Sequence, residues 1–188
     1  MQESSVRPFG LRDKLGYLFG DFGNDFTFIL SSGFLMKFYT DVMGVSAAAI
    51  GAIMMAARFI DAFTDVAMGR ICDRSRYTSA GKFKPWILIG MIGTGVLTVL
   101  MFHNFDMSET EHIVLLAFTY LLFSIFFSLN DIAYWSLMPA ISKDQTVREG
   151  VGAFARICAN VGMFSMVLIY LNVPGFFPGK SPRDAYFI

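Results

Sequence analysis

The chain has 188 residues, of which 55% are hydrophobic and 16% aromatic, with phenylalanine alone used 21 times. This exceeds the roughly 45–50% apolar content of soluble domains and places the chain among membrane proteins. Its 15 basic and 15 acidic residues cancel to zero net charge, so nothing points to nucleic acid, and where the charges lie matters more than their sum. The two cysteines, Cys72 and Cys158, fall beside or within apolar segments. They are read as packing residues, with neither a disulfide framework nor a zinc site expected.

A hydrocarbon core of about 30 Å is crossed by roughly 20 helical residues. On that ruler the sequence predicts spans at Lys14–Tyr39, Ser46–Ile71, Pro85–His103, His112–Ala140 and Gly150–Leu171. The first is long, aromatic and interrupted by Asp21 and Asp25, unlike the short apolar core of a cleaved leader, and is expected to be retained. No low-complexity tract or short-period repeat is visible. The connection from Thr40 to Ser46 is short and contains Gly44, as antiparallel neighbours need. The next connection carries Arg70, Arg74, Arg76, Lys82 and Lys84, whereas His103 to His112 carries Asp106, Glu109 and Glu111 and no lysine or arginine. The positive-inside rule then predicts that the basic connection is cytoplasmic, together with Arg7, Arg12, Lys14, Lys143 and Arg148. Lys37 near the outer end of the first span is read as snorkelling, and Trp86 beside Pro85 as an interfacial anchor. A multi-pass protein of the plasma or inner membrane with a cytoplasmic N-terminus is expected.

Ionisable groups near a bilayer centre cost roughly 2.5–3.5 kcal/mol each on insertion scales, so they face protein or water and mark function. Within the spans stand Asp21 and Asp25, then Arg58, Asp61 and Asp65, then Asp131, then Arg156. Arg58, Asp61 and Asp65 share one helical face. Two carboxylates there can converge on one cation, with the arginine limiting their repulsion. The excess of acids over bases calls for a metal ion or protons. Asp25, Asp61, Asp65, Asp131 and Arg156 lie about 5–12 residues from the basic end of their spans, roughly 8–18 Å by the helical rise. Four helices thus offer charge at overlapping depths. Phe127, Asp131 and Trp135 recur one turn apart with Ser124 and Ser128 alongside. Such a face suits a sugar, since a carboxylate accepts hydroxyl hydrogen bonds and an indole packs on the apolar side of a pyranose. Arg156, with Asn160 one turn on, supplies donors to the same ligand or pairs with Asp131. Other readings stay open: Arg58 with Asp61 and Arg156 with Asp131 as ion pairs that fix packing, Asp21 as a packing or gating residue, and Phe127 and Trp135 as ordinary packing.

These residues form a recognisable series. It runs through Lys14-Leu15-Gly16-Tyr17, Gly20-Asp21-Phe22-Gly23-Asn24-Asp25-Phe26 and Phe38-Tyr39-Thr40-Asp41-Val42, then Arg58-Phe59-Ile60-Asp61-Ala62-Phe63-Thr64-Asp65 through Met68-Gly69. It continues in Gly81-Lys82-Phe83-Lys84-Pro85-Trp86, Asp131-Ile132-Ala133-Tyr134-Trp135-Ser136-Leu137 and the helix bearing Arg156. In this order the chain resembles the glycoside-pentoside-hexuronide:cation symporters, the melibiose-permease-like branch of the major facilitator superfamily. The resemblance implies an all-α transmembrane bundle, with residues 1–188 forming the N-terminal half of a transporter whose substrate lies between two halves. It assigns the cation (sodium, lithium or a proton) to Asp61 and Asp65, with Thr64 and Ser128 as oxygen donors. It assigns the sugar to Asp25, Asp131, Trp135 and Arg156, and a conformational latch to Arg58 and the loop residues Gly69, Asp73 and Arg74. Asn24 stands where the melibiose carrier has a lysine and Phe127 where it has a tyrosine; both changes remove polar contacts beside the sugar. Arg183-Asp184-Ala185-Tyr186-Phe187-Ile188 resembles the start of a sixth span, which leaves a truncated product, a fragment and one partner of a split transporter all open.

The leading expectation is therefore cation-coupled glycoside symport by alternating access, with the lipid bilayer, a glycoside, a monovalent cation or proton and a C-terminal-half chain as partners, and no cofactor. Three alternatives stand beside it: a metal-dependent membrane transferase built on paired aspartates, a non-transporting membrane scaffold, and half of a lipid-type transporter.

Overall fold

A computed structural model of the protein describes residues 10–176 apart from 80, 104, 106 and 143. It consists of helices: α1 (Leu11–Ile29), a π-helical turn (Leu30–Phe34), α2 (Leu35–Asp41), α3 (Ala47–Arg74), α4 (Lys84–Met101), α5 (Glu109–Ile141) and α6 (Gln145–Phe176). Among the described residues the only β-type pairing is an isolated bridge between Thr78 and Gly81. The predicted all-α transmembrane bundle is what forms. Four helices, α3 to α6, are long and apolar enough to cross a membrane. The first predicted span is α1 continued through the π turn into α2, and it carries Arg12, Asp13, Lys14, Asp21 and Asp25 within α1. Arg7, Asp106, Lys143 and the stretch 183–188, on which expectations also rested, lie outside the described residues.

Helix ends differ from the predicted spans for local reasons. Ser108 and Glu111 form a reciprocal cap at the start of α5, with the Ser108 backbone N–H donating to Glu111 Oε2 at 2.8 Å. Glu109 and Glu111 therefore belong to a helical first turn, where acids favour the positive end of the helix dipole, and not to a loop. Asp144 accepts from the Thr146 backbone N–H at 2.8 Å, so α6 starts at Gln145 and absorbs Arg148. In the first span, Ser32 Oγ donates to the Phe28 carbonyl oxygen at 2.7 Å beside the π turn, a side chain competing for a backbone acceptor where the helix widens.

Helix α5 is the hub, packed along α4 and α3, while α1 pairs with α6 and α2 leans on α3. The α4–α5 contact is close because Gly90 has no side chain. A Cβ there would stand 2.7 Å from Asn130 Cβ and 2.8 Å from its backbone nitrogen, the small-residue approach typical of membrane helices. One core cluster gathers Leu35, Phe38, Tyr39, Ile50, Leu97, Met101, Leu116 and Tyr120. Cys72 is fully buried with Leu129 and Ala133. Phe59, Phe63, Val99, Phe154 and Phe164 are exposed, as side chains that contact lipid should be.

Candidate functional site

Two helix groups, α1 with α6 and α3 with α4 and α5, meet along the inner face of α1. The buried residues of α1 are Tyr17, Asp21 and Asn24, a spacing that sets all three on one stripe. Tyr17 stacks on Tyr134 of α5 with ring centroids 4.4 Å apart, and the Tyr134 hydroxyl donates to the Tyr17 carbonyl oxygen at 2.5 Å. Two turns further along α1, Asn24 Nδ2 donates to Asp131 Oδ1 at 2.8 Å. Asn24 Oδ1 in turn accepts from Asn130 Nδ2 at 2.9 Å. Trp135 Nε1 also donates to Asp131 Oδ1, at 3.1 Å. Neutral donors on two helices thus hold one carboxylate, and they do so without the cost of desolvating a second charge.

On its other side Asp131 reaches a cavity of about 390 Å³ between the first span, α3 and α5. Phe28 and Ser32, Arg58, Asp61 and Asp65, and Tyr120, Phe123, Ser124, Phe127 and Ser128 share its wall with Asp131. Asp61 has two partners. Ser124 Oγ donates to its Oδ1, and Arg58 stands 3.6 Å from its Oδ2. The Arg58 side chain is 55% exposed, and its guanidinium also lies 5.7 Å above the Phe28 ring. Phe127 packs on Phe28 at 5.3 Å and on Phe123 at 5.9 Å, so this part of the wall is aromatic.

Of the predicted residues, Asp61, Asp65, Ser128, Arg58, Phe127 and Asp131 come together around the cavity. Thr64 does not join its lining. Its hydroxyl donates to the Asp61 backbone carbonyl at 3.2 Å, and Ser124 is the hydroxyl that reaches the Asp61 carboxylate. The Arg58–Asp61 pair forms. In place of a pair with Asp131, Arg156 lies over the Trp135 ring at 4.6 Å, an attraction that leaves its in-plane N–H groups free to bind a ligand. Asp25 is half-buried within electrostatic reach of Arg156. Asn24, read as a lost polar contact, is a central donor of the network.

Gly69, Asp73 and Arg74 lie toward the basic connection, away from the cavity. There Lys82 Nζ donates to the Asp73 backbone oxygen at 2.9 Å and Trp86 Nε1 donates to Ser75 Oγ at 2.7 Å. Trp86 therefore ties the start of α4 to the C-terminal cap of α3 as well as standing at a helix end. Asn130 and Tyr134 join these contacts without being among the predicted site residues, although an amide and a phenol within an apolar run beside Asp131 carry the signal of a polar contact between helices. Among the described residues no three His, Cys, Asp or Glu side chains converge. Any cation at Asp61 and Asp65 would draw its remaining ligands from hydroxyls and backbone oxygens.

Residues 16–188 match the model of the MFS/sugar transport protein family. The chain is 38% identical over 151 residues to the glucuronide carrier protein homolog of Escherichia coli, covering 80% of this chain and 33% of that protein. It is 37% identical over 148 residues to the uncharacterized symporter YjmB of Bacillus subtilis, covering 78% and 32%. To the inner membrane symporter YicJ of Escherichia coli it is 33% identical over 160 residues, covering 85% and 35%. The chain spans about a third of the length of these curated relatives. Matches to transport proteins over nearly the whole chain, on a helical bundle with charged residues gathered inside it, set aside the transferase alternative: the chain belongs to the MFS/sugar transport protein family, a family of membrane transporters and not of enzymes.

Proposed function

We propose that this chain is the N-terminal half of a cation-coupled glycoside symporter of the glycoside-pentoside-hexuronide type, working by alternating access in the cell membrane with its N-terminus and basic connection in the cytoplasm. The sodium ion, lithium ion or proton binds at Asp61 and Asp65, with Ser124 and Ser128 as neighbouring oxygen donors. The glycoside binds where Asp131, Trp135, Arg156 and Asp25 face the other half, and its hydroxyls meet the carboxylates and the guanidinium. The aromatic wall at Phe127 favours a substrate with an apolar portion. Gly69, Asp73 and Arg74 act at the cytoplasmic latch.

One observation carries the reading. Asp131 belongs both to the hydrogen-bonded network of Asn24 and Trp135 and to the wall of the cavity that holds Asp61 and Asp65. A cation in that cavity lowers the negative potential on Asp131 and fixes the face presented to the sugar. Because linkage is reciprocal, the sugar raises cation affinity by the same factor. The named symporters among the relatives support the same direction.

All the proposed cation ligands are within this chain, so the cation step is testable on it alone. The thermal midpoint of the purified chain in detergent is expected to rise in sodium, in lithium or on acidification, relative to choline at neutral pH, because a ligand bound to the folded state stabilises it. Asp61→Asn and Asp65→Asn abolish the rise. A midpoint indifferent to all three cations overturns the cation site. In the complete two-half transporter, Asp65→Asn is expected to abolish cation-stimulated glycoside uptake.

A further inference from the structure

The least exposed acid is one that the proposed cation and sugar sites leave unused. Among the described Asp, Glu, Lys and Arg residues, Asp21 alone is buried, at 2% exposure. Its Oδ2 is sealed from solvent and has no hydrogen-bond partner, and the same holds for Tyr17 Oη one turn away on the same stripe. The ionisable groups facing it are Tyr17 and Asp25 on α1, Tyr134 and Asp131 on α5, and Arg156 on α6. None of them serves an ionised Asp21 well. The Tyr134 hydroxyl is committed to the Tyr17 carbonyl oxygen. Asp25 and Asp131 add negative potential. Arg156, the sole cation of the set, is exposed and stacked on Trp135 at 4.6 Å.

A carboxylate with one oxygen sealed between membrane helices and given no donor, and with two like charges nearby, relieves itself by taking up a proton. A metal ion would need several oxygen ligands, and beyond the Asp21 carboxyl itself the unpartnered buried oxygen on this stripe is Tyr17 Oη. We propose that Asp21 is a proton-binding site at the α1–α5 seam, separate from the Asp61 and Asp65 cavity and occupied in the conformation described. Loss of that proton leaves a carboxylate whose nearest available counter-charge is Arg156. Neutralisation then draws Arg156 off Trp135, so proton occupancy at Asp21 is linked to the face assigned to the glycoside. This second step rests on the proposed function; the proton site itself does not.

The test uses the purified chain in detergent, without glycoside and in choline, so that it stands whether or not the cation and sugar assignments do. The infrared spectrum of the wild-type chain is expected to contain the C=O stretch of a protonated carboxylic acid that is missing from Asp21→Asn and from Asp21→Ala. In parallel, the thermal midpoint of Asp21→Asn relative to wild type is expected to climb as pH rises from mildly acidic to alkaline, because only the wild type then gains a buried charge. A wild-type spectrum without the band overturns the proposal. So does a band that survives in either variant, or a midpoint difference that is flat with pH.

Discussion

Around Asp131, side chains from α1 and α5 are tied to one another, with Asn24, Asn130 and Trp135 exchanging direct hydrogen bonds of 2.8 to 3.1 Å. On the far wall of the same cavity, which Asp65 also lines, the Asp61 carboxylate meets one hydroxyl and a half-exposed arginine. Helix α5 serves both regions, so the contrast does not arise from different scaffolds. It arises from what each region must do. A satisfied polar network between helices fixes their register and orients Trp135 before any ligand arrives, whereas carboxylates with unfilled lone pairs are of use only if something else completes them. The seam fixes position, and the cavity wall keeps the unfilled acceptors that the proposed cation site requires.

Substitutions can break this contrast, and seam residues should dominate stability. The largest loss is expected from Gly90→Leu, because even a Cβ would stand 2.7 Å from Asn130 Cβ and 2.8 Å from its backbone nitrogen. Forcing α4 and α5 apart should cost about 3 kcal/mol in an unfolding titration in mixed micelles. Asn24→Leu removes both the donor to Asp131 and the acceptor of Asn130 and should cost about 2 kcal/mol in the same titration, the leftover polar groups accounting for most of it. Tyr134→Phe keeps the ring stacked on Tyr17 and deletes the 2.5 Å bond to the Tyr17 carbonyl, for about 1 kcal/mol. Arg58→Gln should move stability by less than about 0.5 kcal/mol, since a pair with one largely exposed partner contributes little. Equal costs at Asn24 and Arg58 would contradict the division drawn between seam and cavity.

The sequence was legible where a physical signal is periodic or extreme. Long apolar runs located the spans, and charges inside them located the cavity, because both are expensive to place anywhere else. It was less legible where two local partners compete. Thr64 and Ser124 both stand near Asp61, but a hydroxyl in a helix can turn back to a carbonyl of the preceding turn; Thr64 does so with Asp61's own carbonyl, and spacing alone could not choose between them. The partner of Asp131 was similarly hidden. A pair with Arg156 is one of two readings the sequence leaves open, yet Asn24, 107 positions away in sequence, takes the bond, because amide donors satisfy a partly buried carboxylate without stripping water from a second ion. The helix ends at Ser108 and Asp144 were set by caps that hydropathy does not register.

The competition between Thr64 and Ser124 also supplies the smallest effect and the finest test of the comparison. Thr64→Val deletes a hydroxyl already spent on its own helix, so both stability and the cation-dependent rise in thermal midpoint should stay at wild-type values. Ser124→Ala deletes the hydroxyl bonded to the Asp61 carboxylate. Stability should fall by no more than about 1 kcal/mol, the worth of one hydrogen bond beside a partly open cavity, while the sodium or lithium concentration that gives half the midpoint rise should increase several-fold as one oxygen leaves the ligand set. If the pattern is reversed, with Thr64→Val weakening the cation response and Ser124→Ala leaving it intact, the ion draws on the α3 hydroxyl after all. Asp61 would then have to turn away from α5 when the ion binds, and the open cavity would be only one of two states of that wall.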